Sequence, residues 1–256
     1  MIGYRTFGHG PVRVVMLHGW IGASAVFDPL LKALDPERFT LALMDQRGYG
    51  ASKAMAGPFD IATIASDAAR LADDLGWDRF SVVGHSMGGK AALRLACDLG
   101  ERVERILAIT PVWAGAAPFD ADTLALFRGA AADLNFRAGI VSHTTGDRLS
   151  PAWVQAIIQA SVEASDPDVF AAYFESWAFD DFADAAARLK LPVTVLVGAH
   201  DGGVTETGVR ASWLAHLPQA RLRILAETGH YPMQEAPPRL ARIFDEELDQ
   251  RLAGSS

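Results

Sequence analysis

The residues most able to do chemistry are a serine, a histidine and an aspartate, each lying beside glycines in a short run typical of a turn. Ser86 lies in GHSMGG, Asp201 in GAHDGG and His230 in AETGHYP. A serine hydroxyl is nearly unreactive at neutral pH, so a serine nucleophile needs a base and a carboxylate that holds this base in the right tautomer. The three residues predict nucleophilic catalysis by Ser86, with His230 as general base and Asp201 as the orienting carboxylate.

Other side chains of the same types fit these roles less well. The rival acids are Asp45, Asp120 and Glu227. Asp45 begins DQRGYGAS, where a carboxylate that stabilises the turn is expected. Cys97 lies among Ala and Leu in a helical pattern, so we expect a buried apolar thiol and not a nucleophile. We expect structural or surface roles for the remaining histidines, which are His9, His18, His85, His143, His200 and His216.

Acyl transfer also needs N–H donors aimed at the tetrahedral oxyanion. Met87 follows the nucleophile where a helical pattern begins, so its main-chain N–H is available there. The run HGWIG after an apolar run places Trp20 in a second loop, which can supply another main-chain N–H. We therefore predict an oxyanion hole formed by Trp20 and Met87.

The elements that must position these residues alternate between strand-like and helix-like patterns. Short apolar runs rich in β-branched residues predict strands at Tyr4–Phe7, Val12–Leu17, Thr40–Met44, Phe80–Val83, Ile106–Thr110, Val193–Val197 and Arg221–Leu225. Apolar residues at helical spacing predict helices at Val26–Leu34, Ile61–Leu75, Met87–Leu99, Val209–Leu217 and Arg239–Leu252. Such alternation is typical of an α/β fold with a mostly parallel sheet flanked by helices. Because ligands of these sheets gather at the carboxyl ends of the strands, the Ser86, Asp201 and His230 turns are expected to meet there.

One interval, residues 112–186, has only helical patterns, so we predict a helical cap inserted into a core formed by 1–111 and 187–256. Asp120, Ser150-Pro151 and Asp166-Pro167 are helix-start signals for three cap helices. The interval is rich in aromatic residues, and we assign Trp113, Phe136, Trp153 and Trp177, together with Trp20, to substrate binding. The alternative for each is that it packs the cap against the core, because an apolar helix stripe is usually core.

Composition excludes several other classes. The 256 residues carry a formal net charge of −8, with no run of Lys or Arg, so no nucleic-acid partner is expected. Neither a signal peptide nor an apolar run of about 20 residues is visible, which predicts a cytoplasmic protein without a membrane partner. No metal or other cofactor is expected, and a monomer and a homodimer both remain open.

The chain resembles the α/β-hydrolase family through five motifs in the family's order and spacing. They are HGW at 18–20, DQRGYGAS at 45–52, GHSMGGK at 84–90, GAHD at 198–201 and GHYPMQEAP at 229–237. The resemblance implies an eight-stranded, mainly parallel sheet and a metal-free acyl-enzyme mechanism with the triad and oxyanion donors assigned above. The family's usual proline a few residues after the acid is missing, and Val204-Thr205 stands in that region.

These observations favour a serine hydrolase for a small, largely apolar carboxylic ester or lactone. One alternative is hydrolytic C–C cleavage of a ring-fission product, which needs a cation such as Arg128, Arg137 or Lys90 for the substrate carboxylate. The motifs also resemble those of cofactor-free perhydrolases. A non-catalytic receptor on the same fold is the alternative from a different class, but a binding protein has no need of an activated serine.

Overall fold

Seven strands form a single sheet that is parallel except at one edge. The computed structural model describes residues 1–248. The strands are β1 (Tyr4–Phe7), β2 (Val12–Leu17), β3 (Phe39–Met44), β4 (Phe80–His85), β5 (Val103–Ile109), β6 (Val193–Gly198) and β7 (Arg221–Leu225). Their order is β1-β3-β2-β4-β5-β6-β7, and only the β1–β3 pair is antiparallel. The predicted α/β class and mostly parallel sheet are therefore confirmed.

The number of strands corrects one expectation. Each of the seven strand-like runs in the sequence forms a strand, but the eighth strand implied by the family resemblance is not found in residues 1–248. The physical reason is that no eighth run in the sequence has the turn residues and apolar pattern of a strand. All seven runs are already used by the sheet, and the long interval between β5 and β6 is helical.

Helices cover the sheet outside this interval. They are α1 (Asp28–Leu31), α2 (Ile61–Asp74), α3 (Met87–Leu99), α9 (Glu206–Val209), α10 (Pro232–Glu235) and α11 (Pro237–Leu248), and the interval between β5 and β6 supplies α4 to α8. The predicted helix at Val26–Leu34 is a 3₁₀ turn followed by the single turn α1, and a π turn at Arg210–Leu214 extends α9. The predicted end of the last helix at Leu252 lies outside the described residues. No helix within the described part of the chain has the length and apolar character needed to cross a bilayer.

We call residues 112–186 the cap. Its helices are α4 (Ala121–Gly129), α5 (Leu134–Thr144), α6 (Pro151–Ala164), α7 (Pro167–Phe179) and α8 (Ala183–Ala186). Asp120 and Ser150 cap α4 and α6 as predicted, through main-chain N–H bonds to their side chains. Asp166 occupies the N-cap position of α7, but its carboxylate pairs with Lys53 at 3.2 Å and makes no cap bond.

The parallel strands position the candidate site by ending at the same sheet edge. Ser86 follows β4, and the loops with Trp20, Asp201 and His230 follow β2, β6 and β7. The strands that carry these loops are held by a core of almost completely buried side chains on β2, β4, β5 and β6. This burial makes the supporting framework rigid, because interiors packed to crystal density resist small displacements.

Candidate active site

Ser86 lies at a sharp, strained turn between β4 and α3. Its φ is 53° and its ψ is −116°, a conformation that a residue with a Cβ rarely adopts. Three main-chain hydrogen bonds hold it there: its N–H donates to Ile109 O at 2.9 Å, and its carbonyl accepts from Gly89 and Val112. Although Ser86 occupies the N-cap position of α3, its hydroxyl makes no capping bond, and the residue is partly exposed. The hydroxyl is thus free for chemistry.

Glycine is required on both sides of this turn. A Cβ added at Gly84 would lie 2.2 Å from Gly88 O, and one added at Gly88 would lie 2.4 Å from Leu17 O. Both distances are far inside van der Waals contact, so a side chain at either position would push apart the elements that cross there. The two glycines of GxSxG are therefore required by the close packing of β4, α3 and the end of β2.

His230 and Asp201 form a close, buried pair. His230 Nδ1 lies 2.6 Å from Asp201 Oδ2, and the aspartate side chain is completely buried. The other carboxylate oxygen, Oδ1, accepts from the main-chain N–H groups of Gly203 and Val204 at 2.8 and 2.9 Å. With Oδ1 held in this way, Oδ2 faces His230. The geometry orients the imidazole with Nε2 available as a base.

The main chain of His230 is fixed from three directions. Its carbonyl accepts from His85 Nε2–H at 2.8 Å and from the Thr110 hydroxyl at 3.0 Å, and its N–H donates to Thr144 O at 3.0 Å. Burial lowers the pKa of His85 well below its ordinary value, and the neighbouring His230 lowers it further. His85 is therefore a neutral donor next to the nucleophile, and it links the Ser86 turn to the His230 loop.

Glu235 braces the two residues that flank His230. Its carboxylate accepts from the N–H of Gly229 at 2.8 Å and of Tyr231 at 3.0 Å. Its side chain is 3% exposed, and Arg148 of the cap contacts it at 3.3 Å. Arg148 also donates to Glu227 O at 2.9 Å. The histidine loop is thus held by a carboxylate from α10 and a guanidinium from the cap.

The loop that carries Trp20 lies against the nucleophile. A Cβ placed on Gly19 would be 3.1 Å from Ser86 Cβ. His18 is buried, and its ring nitrogens contact Gly19 O at 2.8 Å and the Gln46 N–H at 3.2 Å. Burial lowers the pKa of His18, so the ring is neutral and can donate to one partner while accepting from the other. These contacts fix Gly19, the residue before Trp20, against Ser86. Met87 opens α3 next to Ser86 with an N–H that has no helical acceptor.

Two of the five predicted substrate-binding residues belong to one aromatic cluster beneath the cap. Trp20 stacks on Phe170 with ring centroids 3.9 Å apart, and Trp177 meets Trp20 edge-on at 5.6 Å. Phe127 and Phe174 also contact both tryptophans. The Trp177 indole nitrogen is buried without a hydrogen-bond partner. This cluster packs the cap against the core, as in the alternative weighed for each of these side chains.

The other three lie elsewhere. Trp153 meets Tyr231 edge-on at 5.5 Å, which places it beside the His230 loop. Trp113 packs on Trp213 and His216 at 5.5 and 5.1 Å. Phe136 is 42% exposed and lies over Gly129. No ring contact within residues 1–248 joins Trp113 or Phe136 to the residues around Ser86, so their contacts do not support a substrate-binding role.

The rival candidates have other roles. Asp45 accepts from the N–H of Ser24 at 2.8 Å and of Ala51 at 2.9 Å, which is the turn-stabilising role expected of it. Asp120 caps α4. Cys97 is only partly buried, and burial raises the pKa of its thiol to about 11, so it is protonated at neutral pH. Among residues 1–248, no group of three or more His, Cys, Asp and Glu side chains could hold a metal ion.

The three cationic side chains considered as partners for a substrate carboxylate all bind other groups of the protein. Arg128 forms a two-pronged ion pair with Glu175. Arg137 is buried within the cap, where it donates to Ala130 O and Ser161 Oγ. Lys90 is completely buried. Its ammonium donates to three main-chain carbonyls, of Gly115, Trp177 and Asp180, at 2.5 to 3.1 Å.

Lys90 makes a testable contribution to stability. Burial lowers its pKa from 10.5 to about 8, although the nearby carboxylates of Asp180 and Asp181 act in the opposite direction. Between pH 8 and 10.5 the unfolded chain therefore binds a proton at this residue that the folded chain does not. The contribution of Lys90 to the free energy of unfolding therefore rises with pH across this window, because the unfolded state carries more protons at this residue. A pKa shift of this size changes the free energy of unfolding by on the order of 3 kcal/mol across the window.

We expect the free energy of unfolding of the wild type, relative to Lys90→Met, to increase from about pH 8 towards pH 10.5. Urea unfolding of both proteins across this range measures the difference, and the Met variant cancels the titration of every other group. A difference that stays constant with pH would show that the Lys90 pKa is the same in both states.

Several residues that hold the site were not found from the sequence. Gln46, Thr110, Thr144 and Glu235 all bond to the main chain of the catalytic loops. Gln46 and Glu235 lie inside the motifs DQRGYGAS and GHYPMQEAP, so their position in a motif was the available signal. Thr110 and Thr144 lie in no motif. Their roles follow only from the contact between β5, α5 and the His230 loop.

Comparisons with known proteins agree with this architecture. The model of a family described as alpha/beta hydrolase fold matches residues 12–237. A pimeloyl-[acyl-carrier protein] methyl ester esterase of Nitrosomonas europaea is 31% identical over 257 residues, which covers 95% of this chain and 98% of that protein.

Two solved structures share the fold at lower identity. An esterase from Exiguobacterium antarcticum superposes with a TM-score of 0.86 at 21% identity and covers 96% of this chain and 95% of that one. An N-acyl homoserine lactone degrading enzyme superposes with a TM-score of 0.84 at 22% identity over 96% of each chain.

Proposed function

This chain belongs to the α/β-hydrolase family, and on that premise we propose that it hydrolyses small, largely apolar carboxylic esters or lactones through an acyl-enzyme on Ser86. One observation carries the proposal: the Ser86 hydroxyl lies at a strained turn that His85 joins to the His230 loop, and the His230 ring is held by a buried carboxylate at 2.6 Å. A binding protein has no use for a serine and an oriented base in this arrangement.

The proposed chemistry follows from the positions of these groups. Ser86 Oγ attacks the acyl carbon while His230 Nε2 takes the hydroxyl proton. The N–H groups of Trp20 and Met87 stabilise the oxyanion. When the intermediate collapses, the proton passes from His230 to the leaving alcohol, and Ser86 keeps the acyl group. A water then gives a proton to His230 and attacks the acyl-enzyme. His230 returns this proton to Ser86 Oγ as the bond to the acyl group breaks and the acid leaves. A lactone follows the same steps, with its alcohol remaining attached to the acyl group.

The experiment that tests this function is release of p-nitrophenol from the acetate, butyrate and octanoate esters, together with opening of a simple γ-lactone. Turnover that depends on Ser86 supports the proposal, and the chain-length profile measures how much apolar surface the site accepts. If the folded wild type turns over none of these substrates, the ester and lactone proposal is wrong.

The charge of the cap favours neutral substrates. Residues 112–186 contain eleven Asp and Glu residues against three Arg, so the cap carries the whole formal charge of −8 of the chain. Of the three arginines, Arg128 and Arg148 pair with glutamates, and Arg137 is buried. The Nitrosomonas relative is named for a methyl ester on an acyl-carrier protein. A negatively charged carrier would be repelled by this cap, because association needs complementary surface charge.

We therefore expect the enzyme to discriminate against a carboxylate on the acyl group. The mono-p-nitrophenyl ester of glutaric acid has the same leaving group as p-nitrophenyl butyrate but carries a negative charge at neutral pH. Its kcat/KM is expected to be about tenfold lower at low ionic strength, and 0.5 M salt is expected to reduce this difference by screening. Equal kcat/KM values for the two esters would contradict this expectation and would favour a carboxylate-bearing substrate such as a ring-fission product.

A further inference from the structure

The loop that carries the Trp20 N–H has no regular secondary structure of its own. It follows β2 and depends on contacts from other elements for its shape. Within the core, the Tyr49 hydroxyl donates to Trp20 O at 2.9 Å, and the Gln46 amide donates to His18 O at 2.8 Å. An oxyanion donor must be held within a few tenths of an ångström of its working position. The contacts that hold this loop therefore bear directly on catalysis.

The Trp20 side chain joins this loop to the cap. Its indole N–H donates to Phe170 O at 2.7 Å, and its ring stacks on the Phe170 ring at 3.9 Å. The side chain is almost completely buried, and Phe170 lies in α7 of the cap. Trp20 thus joins a loop of the core to a cap helix 150 residues further along the chain.

Phe170 is itself held inside the cap. The Arg137 guanidinium lies 3.7 Å from the centroid of its ring and donates to Ala130 O and Ser161 Oγ. These partners place α5, α6 and α7 in fixed relation to one another. The support of Trp20 therefore reaches through Phe170 to a buried polar centre of the cap.

We propose that the Trp20 indole is a positioning group that fixes the oxyanion loop against the cap, so that the cap is a structural part of the catalytic centre. The indole itself touches none of the reacting atoms in this role. The proposal rests on the proposed function, because it uses the assignment of the Trp20 main-chain N–H as an oxyanion donor.

Trp20→Phe tests the proposal, since it removes the indole N–H and keeps an aromatic ring and the main-chain N–H. Tyr173→Phe is the matched control. It removes a hydroxyl bond of 2.8 Å from the cap to Arg47 O, which joins cap and core without touching the oxyanion loop. Both variants are expected to lose a few degrees in Tm, because each removes one buried bond across the same interface.

Their kinetics are expected to differ. Complete loss of an oxyanion donor costs about 10²- to 10³-fold in kcat, and a displaced donor costs less. We expect kcat of Trp20→Phe to fall about tenfold, and by the same factor for the acetate and the butyrate ester. KM is expected to change by less than about threefold. Tyr173→Phe is expected to keep kcat within about twofold of the wild type. A residue that only lined the pocket would instead change KM and the chain-length profile.

A second variant covers the case in which Trp20→Phe does not fold. Phe170→Leu leaves Trp20 intact but removes the stacked ring, and it is expected to lower kcat about threefold with little change in KM. The proposal is overturned if a folded Trp20→Phe keeps kcat within twofold of the wild type, or if Tyr173→Phe loses as much kcat as Trp20→Phe. Where Trp20→Phe does not fold, an unchanged kcat in Phe170→Leu overturns it.

The rate of Ser86 labelling by a fluorophosphonate separates this proposal from the proposed function. This reaction uses the same nucleophile, base and oxyanion donors but no acyl substrate. If the wild type hydrolyses no ester but is labelled, the ester proposal fails while the labelling rates of the variants still decide the role of Trp20. A labelling rate in Trp20→Phe about tenfold below that of wild type and Tyr173→Phe supports the role, and equal rates contradict it.

Discussion

Replacing Ser86 by alanine is expected to lower kcat for p-nitrophenyl butyrate by roughly 10⁴- to 10⁶-fold. Alanine has no electron pair to attack the acyl carbon, so the acyl-enzyme cannot form. What remains is the catalysis supplied by the oxyanion donors and by substrate binding, which is about 10³- to 10⁴-fold over the reaction in water. Steady-state kinetics with active-site titration of the wild type measures the ratio.

The variant is expected to stay folded. The Ser86 hydroxyl makes no capping bond, and its strained φ of 53° is held by three main-chain bonds that alanine also makes. Its Tm should therefore lie within a few degrees of the wild type. Ser212→Ala is the matched control, because that hydroxyl donates only to Gly208 O within its own helical segment. More than about 1% of wild-type turnover in a purified, folded Ser86→Ala protein would contradict the serine mechanism.

Asp201→Asn is expected to lower kcat by about 10⁴-fold although it changes only one atom. The N–H groups of Gly203 and Val204 both donate to Asp201 Oδ1. An asparagine must place its carbonyl oxygen there, because its NH₂ group would face two donors. The NH₂ group then occupies the position of Oδ2 and faces His230 Nδ1. The imidazole is forced to accept at Nδ1 and to carry its proton on Nε2, so it cannot take the proton of Ser86.

The same substitution at Asp120 is the control for this result. Asp120 was a rival acid in the sequence, and in the structure it caps α4 by accepting from the Thr123 N–H at 2.7 Å. Asparagine caps helices as well as aspartate does, so Asp120→Asn should leave both kcat and Tm nearly unchanged. A kcat of Asp201→Asn within about tenfold of the wild type would assign the orienting role to another group.

The sequence was most informative about the core of the fold. Each of the seven runs predicted as strands formed one, and the runs of β2, β4, β5 and β6 are mostly buried, as expected for the inner strands of a parallel sheet. The helix at Leu134–Thr144 was not predicted, since its apolar residues do not follow one helical face and Arg137 is buried among them. Asp133, which caps this helix by accepting from the Asn135 N–H at 2.8 Å, was the available signal. The eighth strand was expected only from the family resemblance, and the described residues do not contain it.

The sequence by itself determined which residues could act as nucleophile, base and acid, because these roles depend on side-chain chemistry and on glycines that only a tight turn requires. It also determined the chain order of strands that brings Ser86, Asp201 and His230 to one sheet edge. Only the tertiary structure decided how they are held. The contacts of Trp20 with Phe170, of His230 with Thr144 and of Lys90 with three cap carbonyls join segments far apart in the chain. They involve main-chain atoms, which every residue carries, so no residue type or spacing in the sequence could have revealed them.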